Sequence, residues 1–251
     1  VSPKPRKKTL KTTTALPDIE TYYRRLLKKY PDDLRSDGYS HSISQEVRYE
    51  AYLSHLDLNK ATILDVGCGS GQMLRYLTRR SLWPRRYVGI DFIPEKVELA
   101  KKRFCDEGFD KICSAYGVDV EFRAGTVDSV DEMFQIVIAC SIFDVKQVDV
   151  ATTFNVACST MREMWARATD AIGIDFFSPY ALDIQPFNAP IPPEWVLTWA
   201  KLNLGERVLL DYLYAPHDYM LVAKKGDSPF RRLWNEEGGW EREKGGEDEE
   251  A

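Results

Sequence analysis

The segment that most restricts what this chain can fold into is Asp65-Val66-Gly67-Cys68-Gly69-Ser70-Gly71. A short apolar run, Ala61-Thr62-Ile63-Leu64, feeds it, and an amphipathic stretch from Gly71 to Arg80 leaves it. The apolar run has the length of a buried strand, and the stretch after the glycines has the period of a helix. Glycine adopts positive φ without a Cβ clash and lets another group approach the backbone closely. Amides at the start of the following helix face whatever sits above the turn. Strand, glycine turn and helix in that order open a parallel α/β unit, not an all-β or all-α fold.

The alternation continues downstream. Residues 86–91 (RYVGID), 120–125 (VEFRAG), 134–143 (FQIVIACSIF) and 171–177 (AIGIDFF) read as further strands. Helices are predicted from Pro94 over PEKVELAKKRF and over residues 152–168 and 194–202. Residues 206–214 and 218–225 read as two strands joined by about three residues, hence a hairpin. The fold class that follows is α/β: a doubly wound, mostly parallel seven-stranded sheet with helices on both faces and a C-terminal antiparallel hairpin. Upstream, residues 18–30 predict a helix capped by Asp18, residues 31–42 a loop, and residues 45–56 a helix capped by Ser44. The expected organisation is a basic arm over 1–17, a helical cap over 18–60, the sheet domain over 61–225 and an acidic tail over 226–251. Trp234 and Trp240 are aromatics in that tail able to dock back on the body.

Charge limits the partners. The net charge is -5, with five bases and no acid in residues 1–11, and four bases against nine acids in residues 226–251. The body between is mildly acidic, a poor match for a large nucleic-acid surface, although the basic arm could touch phosphate. No run of about 18 apolar residues predicts a membrane span, and no apolar segment follows the basic N-terminus as a secretory signal requires. The five cysteines, with no CxxC or Cys/His cluster, predict neither a disulfide framework nor a metal site, and fit a cytoplasmic location.

The glycine turn selects among nucleoside cofactors with the help of Asp91, 20 residues after Gly71. A carboxylate at that strand end can accept hydrogen bonds from both ribose hydroxyls of an adenosine. Dinucleotide sites read GxGxxG. Here the spacing is GxGxG, with Gln72 next, and Asp65 stands two residues before the first glycine. That acid suits a cofactor with an ammonium group and no pyrophosphate, which favours S-adenosylmethionine over NAD. The sequence DVGCGSG followed by YVGIDFIPEKVELAKKRF is similar to the first motif and following segment of class I S-adenosylmethionine-dependent methyltransferases, over roughly residues 40–225. The resemblance implies that the Asp65–Gly71 loop, with Gly67, Cys68, Gly69 and Gly71, holds the methionine part of the cofactor, and Asp91 the ribose. It implies an adenine pocket from Phe92 and Ile93, with Thr126, Val127 and Asp128 after the third strand, and Cys140 and Ser141 beneath the sulfonium. Arg48, on the helix before the first strand, either pairs with the cofactor carboxylate, as in several small-molecule methyltransferases, or is a surface arginine. The product would be S-adenosylhomocysteine.

Acceptor groups are expected beyond the C-terminal strand ends, where open α/β sheets bind ligands. Ser141 to Asp144, Ser178 to Tyr180 and Tyr214 to Asp218 reach that rim. His217, with Asp144 or Asp218, is a candidate general base, as is His41 in the covering loop; each is otherwise an exposed loop histidine. Tyr39, Phe143, Tyr180 and Trp195 are candidate walls. The chain lacks the Asn/Asp-Pro-Pro-Tyr/Phe sequence of DNA amino-methyltransferases, the Pro-Cys pair of cytosine C5 enzymes and a magnesium-type cluster of acids and histidines. The expectation is an O- or N-methyltransferase of small molecules. An RNA or protein methyltransferase using the arm, and a non-catalytic binding protein, are the alternatives. The oligomeric state is not legible.

Overall fold

The computed structural model describes residues 18–31, 34–39, 41–229 and 232. The basic arm and most of the acidic tail, including Trp234 and Trp240, lie outside the described residues. In chain order come α1 (Ile19–Lys29), a 3-10 turn (Leu34–Asp37), α2 (Ser42–His55), β1 (Thr62–Val66), α3 (Gln72–Arg79), β2 (Arg86–Asp91) and α4 (Pro94–Asp106). Then follow α5 (Phe109–Ala115), β3 (Asp119–Ala124), β4 (Phe134–Ala139), α6 (Val150–Arg167), β5 (Ala168–Phe177), α7 (Pro193–Asn203), β6 (Val208–Asp211) and β7 (Asp218–Lys224).

The seven strands form one sheet in the order β3-β2-β1-β4-β5-β7-β6. The first five run parallel, and β7 inserts antiparallel between β5 and β6. Side-chain alternation along the strands splits the core in two. Leu64, Val66, Val88, Ile90, Val137, Ile172 and Ile174 pack with α6 and α7 residues such as Met161 and Val196. Ile63, Tyr87, Ile136, Ile138 and Ala171 face the other way, onto α2, α3 and α4 through Tyr52, Leu74, Leu77 and Val97. This two-residue period is what a sheet covered on both faces requires.

Several boundaries differ from the sequence expectation. Helix α2 starts at Ser42 behind His41, so Ser44 lies inside it and does not cap it. Helix α5 was not anticipated; Gly108, at φ 75°, ends α4 and opens it. The chain between β6 and β7 spans six residues, 212–217, rather than about three. Strand β4 stops at Ala139, because Ser141 turns the chain at φ 57°. A non-glycine residue there costs roughly 1–2 kcal/mol. Bonds to Asp175 offset it: Ser141 N donates to Oδ1 at 2.8 Å and Ser141 Oγ to Oδ2 at 3.3 Å.

Helix α2 lies tight on the sheet because Gly173 of β5 has no side chain. A Cβ there would stand 2.8 Å from Tyr52 Cε1 and 3.0 Å from a methyl of Leu56. Tyr52 uses the room: its hydroxyl lies 2.7 Å from Ala139 O and 3.0 Å from Asp175 Oδ1, donating to one at a time.

Candidate active site

The glycine turn sits at the C-terminal tip of β1, with Gly67, Gly69 and Gly71 at φ 76°, 53° and 80°. The amides of Gly67 and Cys68 both donate to Ile90 O, at 2.8 and 2.9 Å, so the turn is pinned to β2. A Cβ on Gly67 would come within 2.3 Å of Ile142 Cγ2. Asp91, at the tip of β2, accepts from Gly69 N at 3.1 Å and from Ile93 N at 2.9 Å. Burial pushes its carboxyl up; the Lys96 charge and those two amides oppose the rise. Asp65 is buried beneath the turn and accepts from the Tyr87 hydroxyl. Burial raises it to about 7, against the pull of the Tyr87 bond.

Above the turn is a cavity of about 70 Å³, well under the roughly 300 Å³ at which ligand pockets begin. Its sheet-side wall includes Asp65, Gly67, Cys68, Gly69, Asp91, Phe92, Cys140 and Ser141. Ile19 of α1, with Tyr23, Asp37 and Tyr39, closes it from the N-terminal side. Asp37 comes nearest the turn. Its Oδ2 accepts from Ser70 N at 3.3 Å and Ser70 Oγ at 2.5 Å, and its Oδ1 pairs with Lys96 Nζ at 3.2 Å. Lys96 in turn lies over the Tyr23 ring, 4.2 Å from its centre. The N-terminal segment is thus tied to the turn by hydrogen bonds from Ser70 and to α4 by a buried ion pair.

A second cavity, of about 330 Å³, adjoins the first and shares Tyr23, Asp37, Tyr39 and Ser141 with it. Arg48, Asp144, Phe177, Phe187 and His217 line it as well. Arg48 is buried, which excludes the surface-arginine alternative, and three aspartates surround its guanidinium. Nε lies 3.0 Å from Asp175 Oδ2, and Nη2 lies 2.6 Å from Asp218 Oδ2 and 3.5 Å from Asp144 Oδ2. Its charge is therefore already engaged by this chain's own carboxylates. One cation cannot neutralise three anions in a region with little water. Burial raises Asp144 to about 6, with Arg48 holding it down and Asp175 pushing it up. Burial and the Asp144 charge raise Asp218 to about 8. His217 Nε2 lies 3.1 Å from Asp218 Oδ2. Burial, then the Arg48 charge, lower the His217 pKa, which keeps the imidazole neutral and able to take a proton at neutral pH.

The remaining sequence candidates fall elsewhere. Gly71 stands behind the turn as the N-cap of α3, packed against Phe122. Ile93 is fully buried and meets the site only through its amide on Asp91. Val127 belongs to the core, Thr126 and Asp128 are exposed and bonded to each other, and none of the three lines either cavity. His41 is exposed at the N-cap of α2 and lines neither cavity. Of the proposed walls only Tyr39 lines a cavity. Phe143 stacks on Phe176 in the core, Tyr180 bonds Glu194, and Trp195 packs on Phe154.

Sequence reasoning missed Asp37, Lys96 and Asp175. Asp175 left a trace, an acid inside the apolar run AIGIDFF, where a buried charge demands a partner. Asp37 and Lys96 left none, since each reads as an ordinary charge in a polar stretch.

Comparisons with known proteins agree on the architecture. A family described as a methyltransferase domain matches residues 63–164. No curated protein matches the chain. Among solved structures, magnesium protoporphyrin IX methyltransferase (ChlM) from Synechocystis PCC 6803 with bound SAH is similar at 14% identity. That match covers 82% of this chain and 95% of the other, with a TM-score of 0.55. An S-adenosylmethionine-dependent methyltransferase from Clostridium acetobutylicum ATCC 824 aligns at 11% identity over 82% of this chain and all 100% of its own, with a TM-score of 0.54. The pyocyanin biosynthetic protein PhzM aligns at 14% identity over 84% of this chain and 62% of its own, with a TM-score of 0.55. At such identities the likeness is one of fold.

Proposed function

From the premise that this chain carries a class I S-adenosylmethionine-dependent methyltransferase domain, we propose that it transfers a methyl group to oxygen or nitrogen of a small molecule. One observation carries this reading: two adjoining cavities share four wall residues, one against the glycine turn and Asp91, the other against Asp144 and His217. The donor set fits the chemistry of the cofactor, although the cavity of about 70 Å³ is too small for it, so that in this reading Tyr23, Asp37 and Tyr39 draw back when it binds. Gly67 and Gly69, both at positive φ, face the cavity where Ile142 and Asp37 leave no room for a side chain, and a carboxylate stands at the tip of β2. Asp65 and the turn would hold the methionine end, Asp91 the ribose hydroxyls and Phe92 the adenine, with Cys140 and Ser141 flanking the sulfur. S-adenosylmethionine brings a methyl group on a good leaving group, so the protein contributes position, dryness and, for a weak nucleophile, a base.

In this reading Arg48 orders the acceptor side by fixing three aspartates, rather than pairing with a cofactor carboxylate. His217 and Asp144 are the groups placed to take an acceptor proton. Residues 18–60 act as the cap and 61–225 as the transferase domain. Among the described residues no helix is long and apolar enough to cross a membrane. The five cysteines are free, which supports a cytoplasmic location.

The reading is tested by following S-adenosylhomocysteine formation with pooled small acceptors, using the full chain and a chain lacking residues 1–15. Equal turnover by the two supports it. A salt-dependent collapse of activity on RNA or protein in the truncated chain, with no turnover of small acceptors by either, overturns it in favour of a polymer substrate.

A further inference from the structure

Building on the methyltransferase reading above, we propose that the acceptor is an amine, carried into the second cavity as an ammonium ion on an aromatic or apolar skeleton. The cavity's polar groups are out of balance in one direction. Asp37 and Asp144 line it beside Arg48, and two further carboxyl groups, Asp175 and Asp218, stand behind Arg48 outside the lining. Two of the four carry a buried oxygen with no hydrogen-bond donor, Asp144 Oδ1 and Asp218 Oδ1. Ion pairs reach Asp37 Oδ1 and Asp218 Oδ2, and Arg48 and Ser141 approach the Asp144 carboxyl, but among the described residues Asp144 Oδ1 accepts no hydrogen bond and Asp218 Oδ1 has neither donor nor cation. The Asp37 side chain is only 7% exposed and lines both cavities, Asp144 lines the second, and Asp218 is fully buried behind Arg48 and lines neither. Buried acceptors left without donors are costly, and a ligand rich in N–H groups and bearing positive charge relieves them.

The walls point to the same chemistry. Tyr22, Tyr23, Tyr39, Phe177 and Phe187 line the cavity, so a cation entering it meets π-faces as well as carboxylates. A cavity of about 330 Å³ admits a single small ring system with a side chain, not a folded polymer segment. An anionic acceptor would meet unpaired carboxylates, and a neutral alcohol would satisfy fewer of them.

The chemistry balances with the groups present. The bound ammonium gives one proton to Asp144 or His217. The freed nitrogen lone pair forms the new bond to the methyl carbon, and the carbon–sulfur bonding pair returns to sulfur as a thioether. The product is an N-methylammonium, still cationic.

The test uses the full chain with S-adenosylhomocysteine present, so that binding is read without turnover. Calorimetry with benzylamine, 2-phenylethylamine and 3-phenylpropylamine is compared with 2-phenylethanol and 3-phenylpropanoate. The best amine should bind about tenfold or more tighter than the alcohol, and the carboxylate should be weakest. In Asp144→Asn the amine preference should shrink to within about threefold, and in Asp144→Glu, which keeps the charge, it should return. Equal or tighter binding of the alcohol or the carboxylate by the wild-type chain, or no binding of any of the three amines, overturns the proposal without reference to a variant. Titration of S-adenosylhomocysteine alone comes first. Failure there overturns the methyltransferase reading itself, whereas success followed by failure with the amines overturns only the acceptor class.

Discussion

The two sides of the site are built on opposite principles. On the proposed cofactor side the polar groups of the turn have partners: Gly67 and Cys68 amides on Ile90, the Gly69 amide on Asp91, Ser70 on Asp37. On the proposed acceptor side carboxyl groups outnumber cations, and Asp144 Oδ1 and Asp218 Oδ1 have no hydrogen-bond donor. A satisfied turn is rigid and ready for one invariant ligand, whereas an unsatisfied cluster is held in readiness for a ligand that completes it. The first side is made from one continuous stretch plus a strand tip, the second from side chains on α2, β5, β7, the end of β4 and the N-terminal turn.

This contrast can be broken, most forcefully at Asp91. Asp91→Ala removes two charge-assisted hydrogen bonds to the ribose and should weaken S-adenosylhomocysteine binding by about 2–4 kcal/mol, measured by calorimetry. Acceptor binding at saturating cofactor should hardly change. Normal cofactor affinity in that variant would remove Asp91 from the cofactor side.

His217→Ala should do the reverse. Loss of a base should lower kcat by about tenfold to a hundredfold, or roughly 1.4–2.7 kcal/mol, with cofactor affinity unchanged. Steady-state kinetics beside calorimetry separates the two, and unaltered kcat would return His217 to an exposed turn residue.

Gly173 belongs to both sides, because it seats Tyr52 against Asp175. Gly173→Ala should destabilise the fold by about 1–2 kcal/mol in urea titration and weaken both ligands together. A variant of wild-type stability would mean that α2 has slack.

The gentlest probe is pH. Asp144 and Asp218 keep their protons to about 6 and about 8 in the fold, whereas an unfolded aspartate releases its own near ~3.9. Between those limits the folded state binds more protons, so stability falls as pH rises from about 4 to 8. Asp65, at about 7, adds to the same trend from the cofactor side. His217 opposes it, since its lowered pKa makes the unfolded chain the better proton acceptor as pH falls below ~6.5. The net expectation is higher stability at pH 5.5 than at pH 8, and a shallower slope in Asp218→Asn. A rise in stability toward pH 8 would contradict it.

What could be read from the sequence follows the same divide. The sheet was legible because apolar runs alternate with helical periods, and the cofactor side because its turn is contiguous and chemically distinctive. Asp144, His217 and Asp218 were legible only as members of rim loops. That Arg48 gathers Asp144, Asp175 and Asp218 depends on contacts more than 90 residues apart in the chain, which no local pattern encodes. The third-strand candidates Thr126, Val127 and Asp128 illustrate the converse. Their position after a strand tip was read correctly, but the 3-10 turn over Val127–Ser129 buries Val127 in the core and leaves Thr126 bonded to Asp128, away from the cavity.

The missing side chain at Gly173 bears on how ligands come and go. With Tyr52 sunk into that notch and hydrogen-bonded at its floor, α2 cannot swing away without tearing the sheet's covering layer. Helix α1 and the short turn after it are held more lightly, where Asp37 meets Lys96 and Ser70 and where Arg24 meets Glu95. Gly38, at φ 94°, stands beside that tie as a natural pivot. Displacing that short turn therefore breaks an ion pair and a hydrogen bond at one carboxylate, whereas displacing α2 breaks a packed layer of the core.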